Sequence, residues 1–228
     1  MSDALNSIRD TYDAIADEYA RRIFDELRNK PLDRQLLDRF AVATAGRGEV
    51  CDMGCGPGHV ARYLQEAGAS VFGLDLSPRM LEKARELNPG MHFRQGDMLA
   101  LELADNSLAG ITAFYAIVNL APRLLVTVFR EMDRVLQPDG LVLLAFHNGN
   151  EQRHLTEFLD LPVDLDFYLL PAGAVRQLLE VAGFHIEEII ERDPYPEVEH
   201  PTRRAYIFAR KPGSSPRPVK TDPSAPTP

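Results

Sequence analysis

Residues 51–60 read CDMGCGPGHV: an apolar run, one acid (Asp52), then glycines at alternate positions, Gly54, Gly56 and Gly58. Such a loop can cradle a phosphate, hold a different ligand, or only make a tight turn. Its flanks narrow the choice. Residues 49–53 predict a strand, and residues 59–67 a helix whose first amides point back at the loop. A dinucleotide turn spaces its glycines G-x-G-x-x-G, and counted from Gly54 the third falls on residue 59, which is His59. The spacing here is D-x-G-x-G-x-G, and no Gly-Lys-Ser/Thr follows, which removes the P-loop. Asp52 at the strand end faces the ligand on this reading. It disfavours a pyrophosphate and suits a ligand with a cationic part.

Outward from the loop, strands and helices alternate. Residues 70–75 predict a strand, and Ser77 caps a helix to residue 87 with Pro78 at its first position. Short strands follow at 91–95 and 108–114, then a helix at 122–136 ending in the turn Pro138-Asp139-Gly140. Residues 141–146 form the most apolar strand, suited to the middle of a parallel sheet. The pattern then lapses into a polar loop with mixed helix, residues 147–170. A helix at 171–182 stops at Gly183, and strands near 184–191 and 204–210 pair antiparallel, because the joint between them is too polar and proline-rich for a crossover helix. Residues 4–28 and the stretch after Pro31 (Leu32, Leu36, Leu37, Phe40 on one face) read as helices. The whole predicts a doubly wound α/β sheet in one domain, residues 1–210. From 211 to 228, KPGSSPRPVKTDPSAPTP predicts a disordered tail.

Composition sets bounds. The chain has 228 residues, enough for one sizeable core with a cap, and 45% of them are hydrophobic. The net charge of −9 argues against nucleic acid or an anionic membrane as a partner. No run approaches the roughly 18 apolar residues of a membrane span, and the first residues do not read as a signal peptide, so a cytoplasmic location is expected. Cys51 and Cys55, about 13 Å apart if extended, do not reach a disulfide, and no further Cys or His pair completes a metal site.

Two more acids follow the strands in order. Asp75 ends VFGLDLS, where a carboxylate accepts both hydroxyls of a ribose. Asp97, in Gly96-Asp97-Met98, is placed to accept from an adenine amino group. With Asp52 these acids meet amine, ribose and base, a set that fits S-adenosylmethionine (SAM).

VCDMGCGPGHVARYL, VFGLDLSPRMLEKAR, FRQGDM and FREMDRVLQPDGLVLLAF together resemble the class I SAM-dependent methyltransferases, in their broad small-molecule group. The resemblance covers roughly residues 10 to 210. It implies a Rossmann-like, seven-stranded, mostly parallel sheet with a C-terminal antiparallel hairpin and an N-terminal helical cap. It also implies site roles. Gly54 and Gly56 would approach the methionine part, which Phe114, Tyr115 and Ala116 would line. Asp75 would bind the ribose, Leu76 and Met80 the adenine face, and Asp97 and Met98 its edge. Tyr12 and Tyr19, in YDAIADEY, would close over the ligand. The implied activity is methyl transfer to a small-molecule acceptor by a monomer or homodimer. In-line displacement needs alignment first, and a base only where the nucleophile must lose a proton. His147 and Tyr19 are the candidates to assist, and Asn119 and His147 the candidates to touch the acceptor, under a cap of residues 1–46 and 147–170. His154, Glu151 and Asp166 read as solvated loop groups. The rival readings are a SAM-binding regulator without turnover and an NAD-dependent oxidoreductase.

Overall fold

The computed structural model describes residues 3–213. A seven-stranded sheet carries β1 (Glu49–Met53), β2 (Val71–Asp75), β3 (His92–Gln95), β4 (Leu108–Phe114), β5 (Leu136–Asn148), β8 (His185–Arg192) and β9 (Arg203–Arg210). Strand order is 3-2-1-4-5-9-8. The pairs among β1 to β5 are parallel, and β9 runs antiparallel to both β5 and β8. From β1 the chain winds one way to β3, then returns to β4 and winds the other way. The switch point lies between β1 and β4, and the glycine loop leaves β1 there.

Strands buried on both faces explain the continuous apolar reading of 141–146. One face is covered by α5 (Pro122–Val135) and α6 (Ala172–Ala182), with Phe129, Met132 and Leu179 in its core. The other is covered by α2 (Pro31–Thr44), α3 (His59–Glu66) and α4 (Pro78–Leu87), around Phe40, Leu64 and Leu81. α2 is therefore a layer of the sandwich. Only α1 (Asp3–Ile23) and the 3-10 turn Glu26–Asn29 remain from the expected N-terminal cap. Among the described residues no helix is long and apolar enough to cross a membrane.

Two sequence expectations change. The turn 138–140 does not end an element: β5 runs from Leu136, pairing with Leu108, and bulges before Leu141 pairs with Gly110. Asp139 takes a φ of 61° in that bulge. The stretch 147–170 is not a loop with helix but a hairpin, β6 (Glu151–Phe158) and β7 (Leu161–Leu169). Its period-2 apolar series, Val163, Leu165 and Phe167, was masked by the acids between. The two-residue turn Leu159-Asp160 has φ 56° and 61°, the sign of a type I′ turn without its usual glycine. The hairpin is pinned by Tyr168 N to Val118 O (2.7 Å) and by Arg22 to Asp160 (2.5 Å).

The chain stays anchored past β9. Lys211 Nζ donates to Asp133 O (2.6 Å), Leu136 O (2.8 Å) and Asn106 Oδ1 (3.0 Å). Lys211 thus belongs to the fold, and the expected tail from 214 onward lies outside the described residues. Lys211→Met should lower unfolding free energy by about 1–3 kcal/mol, read by urea titration, because two backbone carbonyls lose a charged donor.

Candidate functional site

At the end of β1 the backbone turns through three left-handed glycines, with φ 69° at Gly54, 51° at Gly56 and 80° at Gly58. A Cβ on Gly54 would sit 2.4 Å from that of Ala116, so a side chain there closes the cleft. Asp75, at the end of β2, holds the loop's shape: Oδ2 accepts from Gly56 N (2.8 Å) and Oδ1 from Ser77 N (2.9 Å). Burial pushes this carboxyl up, partly offset by those amides. Leu76 N adds a third backbone contact, and a carboxylate with about four acceptor positions keeps capacity for a further donor.

The cleft runs along the carboxyl ends of the strands. Gly54, Gly56 and Asp75 form its floor, with Leu76, Met80, Asp97 and Met98 at one end and Phe114, Tyr115, Ala116 and Asn119 at the other. α1 lies over it with Leu5, Ile8, Tyr12 and Tyr19, and Arg9 is the one cation among the described lining residues. Asp13 docks this helix. It accepts from Ser77 Oγ (2.5 Å) and from Arg79 N (3.1 Å), while Ser77 Oγ itself caps α4 at Met80 N (3.0 Å). Asp17 adds an ion pair to Lys83 (2.7 Å).

Two expected ligand contacts lie elsewhere. Asp52 does not face the cleft: it is 1% exposed, and its oxygens accept from Ala61 N (3.0 Å) and Thr112 Oγ1 (2.9 Å). The reason is local. α3 begins after Gly58, which has no side chain to cap it, and Asp52 reaches across from β1 to satisfy the third amide. Gly58 is also structural, since a Cβ there would meet Phe93 at 2.7 Å and Asn88 at 2.9 Å. The charge argument built on Asp52 therefore falls. Asn119 lines the cleft with both ends engaged, Oδ1 by Tyr12 Oη (2.8 Å) and Nδ2 on Asp166 O (2.9 Å).

A second cavity of about 510 Å³ opens beyond the cleft, and Tyr12, Tyr19 and Tyr115 line both. Tyr115 follows β4 with φ 55°, a left-handed conformation uncommon for an aromatic residue, and its amide is fixed on Ala145 O (2.7 Å). His147 lies in this cavity with Nδ1 2.6 Å from Thr202 Oγ1. Burial, then Arg204, His200 and Lys30, push its imidazole down to about 3, so it is neutral and a feeble base near pH 7. Burial raises the Tyr19 and Tyr12 hydroxyls, which leaves them protonated. His154, Glu151 and Asp166 are engaged on the hairpin, Glu151 in an ion pair with Arg153 and His154 with its Nδ1 3.2 Å from Asp166 Oδ1.

The sequence reading missed the far wall of this cavity. Lys30 (5% exposed) reaches Glu26 at 2.8 Å, and Glu199 accepts both Arg192 nitrogens at 2.6 and 2.9 Å. Burial opposes ionisation of Glu26 and Glu199, but His59 and Lys30 for the first, and Arg192 for the second, hold each at about 2. No motif joins residues 26, 30, 199 and 204; only the fold does.

A cleft at the switch point of a doubly wound sheet, with an acid binding the loop after β1, is where open α/β proteins bind their ligands. Residues 50–140 match a family model described as a methyltransferase domain. The malonyl-[acyl-carrier protein] O-methyltransferase of Pectobacterium atrosepticum is 35% identical over 136 residues, 58% of this chain and 52% of its own. A Mycolicibacterium smegmatis protein named as a probable S-adenosylmethionine-dependent methyltransferase is 30% identical over 157 residues, 68% and 58% of the two chains. The chain spans about half the length of the curated relatives it matches. A SAM-dependent methyltransferase from Methanosarcina mazei superposes with a TM-score of 0.65 at 17% identity, over 72% of this chain and 92% of that one, which shows the fold. Together these matches support a class I SAM-dependent methyltransferase, with SAM as its cofactor. The residues present fit it: the Gly54–Gly56 cradle has no room for a side chain at Gly54, and Asp75 keeps acceptor capacity for a ribose.

Asp52 yields a pH prediction. Burial, outweighing His59 and two hydrogen bonds, pushes its carboxyl up to about 6. The folded state therefore keeps a proton that the unfolded chain releases near pH 4, and stability from this group is lost as pH rises from about 4 to 6. Asp52→Asn can keep both bonds, accepting from Ala61 and donating to Thr112. Its stability relative to wild type should rise across that window, by up to about 3 kcal/mol, in urea titrations at pH 4 and pH 7.5.

Proposed function

We propose that this protein transfers the methyl group of SAM to a small-molecule acceptor held in the second cavity. The observation that carries this is the shared wall: Tyr12, Tyr19 and Tyr115 line the cofactor cleft and the cavity alike. A group in one therefore meets a group in the other across three side chains. The relatives named as methyltransferases support the reaction class.

When bound, SAM supplies an electrophilic methyl on a cationic sulfur. This chain's residues orient and enclose. Asp75 takes the ribose, Leu76, Met80, Asp97 and Met98 take the adenine, and Gly54, Gly56 and Ala116 give the methionine part its room. α1, docked through Asp13 and Asp17, excludes water from above. Neither His147 nor Tyr19 offers useful basicity, so catalysis rests on proximity and alignment, several kcal/mol in favourable cases. An acceptor suited to this cavity attacks without first losing a proton to the protein.

Asp75→Ala should weaken SAM binding by about 1–3 kcal/mol, roughly 5- to 150-fold, by calorimetry. Unchanged affinity would remove the ribose role. Label transfer from methyl-labelled SAM to a small-molecule fraction tests turnover, and SAM binding without any transfer would leave a regulator instead.

A further inference from the structure

We propose that the second cavity binds its acceptor through a carboxylate, seated among Lys30, Tyr115 and Arg204. This rests on the reading of that cavity as the acceptor site. The groups on its far wall differ in how fully they are used. The acceptor oxygens are taken. Glu199 Oε2 accepts from Arg192 Nη1 (2.6 Å) and Tyr195 N (2.8 Å), and its Oε1 from Arg192 Nη2 (2.9 Å). Glu26 Oε2 accepts from Lys30 (2.8 Å), and its Oε1 lies 3.3 Å from His59 Nε2.

The donors are not all taken. Arg204 is 3% exposed, with one terminal nitrogen on Thr202 and the other on His200 O, yet its Nε has no hydrogen-bond partner. Glu199 Oε1 is 3.6 Å from that nitrogen, beyond hydrogen-bond range. Tyr115 Oη is buried beside the Tyr206 hydroxyl and makes no hydrogen bond of good geometry. Lys30 donates one N–H to Glu26 and sits 5.1 Å from the Tyr115 ring centroid, and the Arg204 guanidinium carbon lies 5.7 Å from the same centroid. Two buried cations thus flank the ring that carries this hydroxyl.

Buried donors left unmatched are costly, and a ligand that supplies acceptors removes that cost. A carboxylate supplies two oxygens and a charge opposite to both cations. An ammonium group brings donors only and no acceptor, and an amide or alcohol brings a single uncharged acceptor oxygen. Thr202 strengthens the pattern. Its hydroxyl accepts from Arg204 Nη1 (2.6 Å), which leaves its hydrogen for His147 Nδ1 (2.6 Å). The neutral imidazole then carries its proton on Nε2, a further donor in the same cavity. The rim cations do not compete, because Arg22 is paired with Asp160 and Arg153 with Glu151.

The test is calorimetry on the full chain saturated with S-adenosylhomocysteine, titrated with succinate, glutarate and benzoate, each beside its amide. The acids should bind at least tenfold tighter than the amides. Tyr115→Phe and Arg204→Lys should each cost the acids about tenfold and the amides little. With S-adenosylhomocysteine bound, acids no tighter than amides, or no binding of either, would overturn the carboxylate seat and leave the methyltransferase reading intact. An acid preference that survives both variants would overturn the assignment to these residues. Failure of S-adenosylhomocysteine itself to bind would overturn the underlying reading, and this one with it. The wild-type comparison of acid with amide stands even where a variant fails to fold.

Discussion

The hydrogen bond from the Gly56 amide to Asp75 Oδ2 joins the ends of two neighbouring parallel strands, and the site is built around it. β1 and β2 pair through Met53 and Leu74, so the chain leaves both at the same level of the sheet. Gly54 and Cys55 then donate to Leu74 O, and Gly56 to the carboxylate one residue further on. The loop lies flat against the strand ends instead of rising over them. The other oxygen of Asp75 fixes Ser77 N, which sets the start of α4, and Ser77 Oγ fixes Asp13 of α1. Floor and roof of the cleft are thus tied to one half-buried acid.

The second cavity is organised on a different plan. Its far wall is an ionic cluster in which Glu199 is bonded to Arg192 and lies within 4 Å of Lys30 and Arg204, while Asp33 accepts from Tyr206 Oη (2.6 Å) and Arg192 (3.1 Å). Burying charges is unfavourable unless each is paired and hydrogen-bonded. Most of these groups are. The exceptions are Arg204 Nε and Tyr115 Oη, on residues that line the cavity, and Asp33 Oδ2, on a residue that does not.

Much of the fold was legible along the chain. The alternation from Glu49 to Leu141 has local causes: apolar runs for buried strands, the Ser77-Pro78 start of α4, and Gly183 in the left-handed region closing α6. The cleft at the switch point was legible too, since Gly54, Gly56, Asp75, Asp97 and Tyr115 each lie at or within a few residues of a strand's end, and parallel strands deliver their ends to one edge. Asp52 was misread because a residue's place at a strand end does not say which neighbour needs it. The unsatisfied amide of Ala61 claimed it. The hairpin at 151–169 was misread because its outward acids hide the period of its inward residues.

From the sequence alone come the sheet, its direction of winding and the loop that a nucleoside ligand would meet, because these depend on patterns a few residues long. The second cavity came only with the tertiary structure. Lys30, Tyr115, His147 and Arg204 lie on separate elements, and no spacing relates them. What they share is a place where the N-terminal segment, the ends of β4 and β5 and the start of β9 converge, with buried polar atoms of Arg204 and Tyr115 left unpaired. Hydrogen-bond satisfaction is a property of the packed molecule, and a linear pattern carries no trace of it.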